Sequence, residues 1–129
     1  MVGLFSKNKD PQKKANMEKF KEFKNLAKQK KYNQALRAGL EYIRKVPNNH
    51  DALFTIGGIY YLQHKYKTAI SYCDKALEIG SYDTEVLLIK ALSHQKLGEK
   101  KRAIDACNKI LEVDEKNQTV KDMLIQLQD

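Results

Sequence analysis

The sequence predicts an all-α stack of antiparallel helix hairpins, on three observations. Ala35, Ala69 and Ala103 stand 34 residues apart twice over, and Tyr32/Tyr66, Leu53/Leu87 and Cys73/Cys107 keep the same step. A fixed period of that length marks a repeat architecture in which each unit is one supersecondary element. Within the middle period Leu53, Ile56, Gly57 and Tyr60 recur at i, i+3, i+4, i+7; after the polar Gln63, His64 and Lys65 come Tyr66, Ala69, Ile70, Cys73, Ala76 and Leu77. Two apolar faces of helical period split by a few polar residues make one hairpin. Finally, small residues recur where the helices must cross: Gly57 and Ala91 on one side, Ala35, Ala69 and Ala103 on the other. Interaxial distances of about 8–10 Å leave no room there for anything large.

The elements follow in chain order. Residues 1–10 are expected to be a flexible basic tail, since MVGLFSKNK shows no periodicity. Asp10 before Pro11 is an N-cap and first-turn pair, so the first helix begins near residue 11 and runs to about 30. The units fall at about 16–49, 50–83 and 84–117 within a single domain spanning 11–129. Asn49 or Asn48 caps the second unit, with Asp51 in its first turn, and Gly80 is expected to end that unit's second helix in a left-handed conformation. Asn117 caps a closing helix at about 118–129, whose Val120, Met123, Leu124 and Leu127 form one apolar stripe.

Charge is split unevenly along the chain. Residues 1–50 carry 13 Lys/Arg against 4 Asp/Glu, whereas residues 51–129 carry 11 against 12. That imbalance suggests either contact with something acidic or a solvated lysine-coated end. No apolar run approaches the roughly 20 residues needed to span a bilayer. The N-terminus also lacks the pattern of a secretory signal, so a cytoplasmic location is expected. The two cysteines occupy equivalent places on buried helix faces and read as small hydrophobes.

No catalytic constellation emerges. His50, His64 and His94 fall at a unit start, an interhelical turn and a packing face, and share no helical face. There is no HExxH, GxxxxGK[ST] or GxGxxG pattern, and Gly57 and Gly58 lie inside a helix. Neither a metal nor a cofactor is expected, and the chain reads as a non-enzyme.

The middle unit carries Leu53, Ile56, Gly57, Tyr60 and Ala69; the first offers Tyr32, Ala35 and Pro47, and the third Leu87, Ala91, Gly98 and Ala103. This resembles the tetratricopeptide repeat, W-x2-L-G-x2-Y followed by A-x3-F and a proline. Gly39, Cys73 and Cys107 replace the aromatic after each key alanine, and Lys19 and Glu22 stand where the family has large apolar residues. A first unit with no predecessor needs such a polar outer face. The resemblance implies a right-handed superhelical solenoid whose first helices line an inner groove. Inward places would then be Phe20, Lys24 and Lys28 in the first unit, Phe54, Thr55, Gly58 and Tyr61 in the second, and Leu88, Ile89 and Leu92 in the third.

Such a groove implies a non-catalytic interaction scaffold that takes a protein or peptide partner, with Phe54 and Tyr61 as anchors. Many co-chaperones of the family grip a heat-shock protein's terminal carboxylate there with lysine, asparagine and arginine. The matching places here hold Phe20, Lys24, Thr55, Glu85 and Ile89, a set unsuited to that grip. The alternative occupant of the groove is the VGLF segment of the tail itself. Other readings rank lower: a membrane surface or nucleic acid reached through Lys13, Lys14, Lys21, Lys24, Lys28, Lys30 and Lys31, with Leu4 and Phe5 assisting, or a homo-oligomer built through the solenoid ends. Scarce arginine and the lack of a recognised module weigh against nucleic acid.

Overall fold

The computed structural model describes residues 10–129. The tail segment VGLF, with Leu4 and Phe5, lies outside the described residues, whereas Asp10 belongs to the first helix as its cap. Helices α1 (Pro11–Lys28) and α2 (Tyr32–Lys45) form the first hairpin. The second is α3 (His50–Leu62) with α4 (Tyr66–Ile79), and the third α5 (Thr84–Lys96) with α6 (Lys100–Val113). Helix α7 (Gln118–Gln128) closes the end. The first helices α1, α3 and α5 touch in turn and make one row, while α4 packs on α5 and α6 on α7. The architecture is an all-α solenoid.

Each first helix starts on a side-chain cap. Asp10 accepts from the Gln12 and Lys13 amides, Asn49 from Ala52, Asp83 from Glu85 and Val86, and Asn117 from Val120. Asn49, Asp83 and Asn117 are one position repeated, and each satisfies amides that a helix start leaves without a partner.

Left-handed residues occur inside the hairpins, at Lys30 (φ 60), His64 (φ 63) and Gly98 (φ 75). Each closes the same double bond, such as Lys31 N–H to Leu26 C=O and Lys30 N–H to Ala27 C=O in the first turn. The left-handed conformation expected at Gly80 is not observed: its φ is −133 and ψ 91. Val46 and Asp114 leave their helices in similarly extended conformations, so the loop between units needs no glycine. What Gly80 supplies is room for His50, whose Nε2 would lie 3.4 Å from an added Cβ. Gly98→Ala, by contrast, forces a side chain into the left-handed region, and a loss of about 1–2 kcal/mol is expected in urea unfolding.

The core is continuous across unit boundaries. Phe23, Ala35, Leu36 and Tyr42 of the first hairpin share a cluster with Ala52, Ile56 and Ile59 of α3. Leu53, Cys73 and Ala76 join Val86 of α5, and the third hairpin joins Val120, Met123 and Leu127 of α7. The outward side of the first hairpin is polar: Lys19 bonds Glu41, whose carboxyl is held below its ordinary range by that hydrogen bond.

One crossing inverts the pattern of the others. In the second unit Gly57 faces Cys73, with an added Cβ 3.4 Å from the sulfur. In the first unit the small residue is on the other helix: Gly39 lies under the ring of Phe23, and an added Cβ would come to 2.5 Å from Cε1 and 2.8 Å from Cδ1. Phe23 is fully buried.

Candidate functional site

A hollow of about 330 Å³ opens on the row of first helices. Helix α3 supplies most of its lining, because Phe54, Gly58, Tyr61 and Leu62 recur at the three- and four-residue steps that share a helix face. Ala27 of α1, Tyr32 of α2 and Ile89 of α5 complete the walls, with Thr55 and Ile59. Gly58 leaves the space open, since a Cβ added there meets nothing within 4 Å. Gly57, one residue earlier, is packed against Ala69 and Cys73, so adjacent glycines serve opposite ends.

Five of the expected inner-face residues therefore meet in one hollow: Phe54, Thr55, Gly58, Tyr61 and Ile89. Leu88 and Leu92 line a separate groove with Met123 of α7. Phe20 is not brought to the hollow. Its ring packs 5.2 Å from that of Tyr42 and 6.4 Å from that of Phe23, because the first core needs an aromatic there. Lys28 is exposed beside Ala27, while Lys24 is committed, its Nζ 2.7 Å from Asp51 Oδ1 and 3.3 Å from Thr55 Oγ1. Sequence reasoning missed Ala27, Tyr32, Ile59 and Leu62. Of these, Leu62 is 53% exposed and carries no repeat signature, since Lys28 and Lys96 occupy its place in the neighbouring units.

Apart from His50, the polar groups near the row are satisfied rather than poised. Tyr61 packs on Tyr66 at 5.6 Å, and the Tyr66 hydroxyl lies 2.7 Å from His64 Nδ1. Buried His94 meets Glu99 at 2.9 Å, a hydrogen bond that holds the Glu99 carboxyl below its ordinary value. His50 Nε2 is 3.3 Å from Asp83 Oδ2, at an angle that makes no hydrogen bond. Both thiols are free, and burial pushes Cys73 up to about 12 and raises Cys107 as well, so neither is a nucleophile at neutral pH. Among the described residues, no group of three or more His, Cys, Asp or Glu is placed to hold a metal ion. No described helix is long and apolar enough to cross a membrane. What the hollow can do is remove an apolar side chain from water.

The family model described as anaphase-promoting complex, cyclosome, subunit 3 matches residues 28–110, well over half of the chain. Solved structures with a similar fold include the first TPR of Spaghetti (RPAP3) bound to the HSP90 peptide SRMEEVD. It shares 18% identity over 88% of this chain and 90% of that one, with a TM-score of 0.81. The Arabidopsis OM64 TPR domain is 19% identical over 88% and 94%, also at 0.81. The TPR2B domain of yeast Sti1 in its pHsp70 complex is 18% identical over 88% and 95%, at 0.76. At these identities the likeness is one of fold. No curated protein sequence matches.

Proposed function

This chain belongs to the tetratricopeptide-repeat family described by the model of anaphase-promoting complex, cyclosome, subunit 3, and we propose that it is a non-catalytic, cytoplasmic docking module for a protein segment. The segment inserts an apolar or aromatic side chain into the hollow between Phe54, Tyr61 and Ile89. The observation that carries this reading is the hollow itself, an apolar opening on α3 kept clear by Gly58. Such an opening suits an anchor residue, and affinity in interfaces concentrates at anchors of that kind.

The Spaghetti structure noted above holds an HSP90 peptide ending in Glu-Glu-Val-Asp, and that of Sti1 is a pHsp70 complex. Here the corresponding face argues for a different occupant. Lys24 is already neutralised by Asp51, and exposed Glu85 would repel an anionic terminus. Apolar burial is left as the main source of binding energy, with exposed Lys28 available to steer acidic flanks.

Gly58→Leu tests this directly. The new side chain enters open space, and replacing a mid-helix glycine favours the helix by up to about 1 kcal/mol, so the fold is retained. Peptides selected from a random display library on the wild-type protein are expected to share an apolar or aromatic anchor and to lose at least about tenfold in affinity for the variant. Unchanged affinity in a correctly folded Gly58→Leu protein would refute the hollow as the docking site.

A further inference from the structure

A second surface, adjoining the hollow at Leu62 and Lys28, follows from how the hairpins align their turns. The three turns joining first to second helices, residues 28–34, 62–68 and 96–102, lie along one edge of the solenoid. They carry Lys28, Lys30, Lys31, Lys65, Lys67, Lys96, Lys100, Lys101 and Arg102, all nine exposed. Glu99 is the single acidic residue among them, and it is bound to His94. Among the described residues, none of the nine cations is in an ion pair. The opposite edge has the reverse balance: residues 44–51, 78–85 and 112–119 carry seven Asp/Glu against three Lys/Arg.

The basic edge is continuous. Gln63 of the second turn donates a 2.9 Å hydrogen bond to Asn33 beside the first, and Glu99 of the third feels the charge of Lys67 as well as that of Arg102. Shared left-handed geometry at Lys30, His64 and Gly98 presents each turn alike.

Lys28 and Lys96 lie in the last turns of α1 and α5, where the helix dipole favours a cation, but the charges at the helix starts do not help the fold. Lys67, Lys100, Lys101 and Arg102 lie in the first turns of α4 and α6, and Lys31 and Lys65 stand at the caps of α2 and α4. A helix N-terminus is a positive dipole end that favours acidic residues, yet α2, α4 and α6 have none in their first turns and no side-chain cap. Helix stability therefore does not account for the cations at the starts of α2, α4 and α6.

We propose that this edge is a docking surface for an anionic lipid bilayer. Eight of the nine cations are lysines, point charges suited to a diffuse headgroup layer rather than to bidentate recognition. Leu62, 53% exposed, projects from the same edge and can enter the interface. Single-stranded nucleic acid fits less well, because it needs free aromatic faces. Tyr32 is partly buried, and Tyr66 is packed against both Tyr61 and His64.

The test is co-sedimentation of the full chain with phosphatidylcholine vesicles, with and without about 30% phosphatidylglycerol, in low salt where a Lys-rich surface acts over the longest range. Binding to the anionic vesicles alone is expected, weakening at least about tenfold between roughly 0.05 and 0.5 M salt. Lys31→Glu/Lys65→Glu/Lys67→Glu/Lys101→Glu should abolish it while melting no lower than wild type, since each change relieves an unfavourable dipole contact. Lys13→Glu/Lys14→Glu/Lys116→Glu/Lys121→Glu has the same net charge and should still bind. Absence of binding, equal loss in both variants, or tighter binding to polyuridylate than to anionic vesicles at matched salt would each overturn the proposal.

Discussion

Phe23→Ala/Gly39→Phe, which exchanges the large and the small residue of the first crossing between its two helices, is expected to recover most of the stability that either change removes alone. Phe23 is the largest fully buried side chain, and truncating it leaves a cavity between α1 and α2 costing about 3–5 kcal/mol. That is a large share of the roughly 5–15 kcal/mol holding a domain together. Gly39→Phe alone drives a ring into one already there, since even a Cβ would stand 2.5 Å from Phe23 Cε1. It should unfold or severely destabilise the first hairpin. In the double variant the new aromatic occupies the volume the old one vacates, so the two changes should couple by more than the about 0.5–3 kcal/mol usual for contacting residues. Urea unfolding of the four proteins measures this. Strictly additive losses would mean that the two helices do not share that volume.

Removing α7 should be the next most damaging change. Val120, Met123 and Leu127 are almost wholly buried against Leu87, Ala103, Cys107 and Ile110. At about 1.5–3 kcal/mol for each large side chain, ending the chain at residue 117 removes on the order of 5 kcal/mol from the third unit. An uncapped repeat also presents its apolar face to water. The cysteines report the site of damage. Cys107 lies in the cluster that α7 covers, whereas Cys73 lies one unit away with Leu53, Ala76 and Val86. Thiol labelling of the full chain should be slow at both positions. In the shortened chain Cys107 should react at least about tenfold faster, with a smaller change at Cys73, as local opening concentrates where contacts were lost. Equal acceleration at both would show that the solenoid unfolds as one block.

The inverted crossing also shows where reading the sequence stopped short. Gly39 registers as a missing aromatic, but its explanation lies at Phe23, which stands in the same ladder as Gly57 and Ala91. Position 23 could have been compared with 57 and 91 directly, and the large residue would have been seen opposite the small one. Gly80 teaches the converse. A glycine after a helix suggests a left-handed cap, yet the left-handed residues are Lys30, His64 and Gly98, two of which are not glycine. Backbone hydrogen bonding in the tight turn dictates the conformation there, and composition follows it only at Gly98.

The candidate site was legible in part for a related reason. Phe54, Thr55, Gly58 and Tyr61 sit on one helix, so their common face follows from period alone. Ile89 joined them through the repeat register. Leu62, four residues after Gly58, was legible from the same period, whereas Ala27 and Tyr32 line the hollow because of how α1 and α2 meet α3, which no local period encodes. Phe20 went the other way, claimed by the first core through Tyr42.

By itself the sequence determined the repeat, the hairpins, most of the caps and the small residues at the crossings, because each depends on spacing within about one turn or one period. Only the tertiary structure decided which crossing was inverted, which inner-face residues met, and how charge is arranged. Along the chain the basic excess belongs to the first 50 residues. In the folded molecule the imbalance runs across the solenoid's width, because stacking brings side chains 34 residues apart in sequence to one edge. Electrostatic potential depends on distance in space, so it is settled only when the hairpins pack.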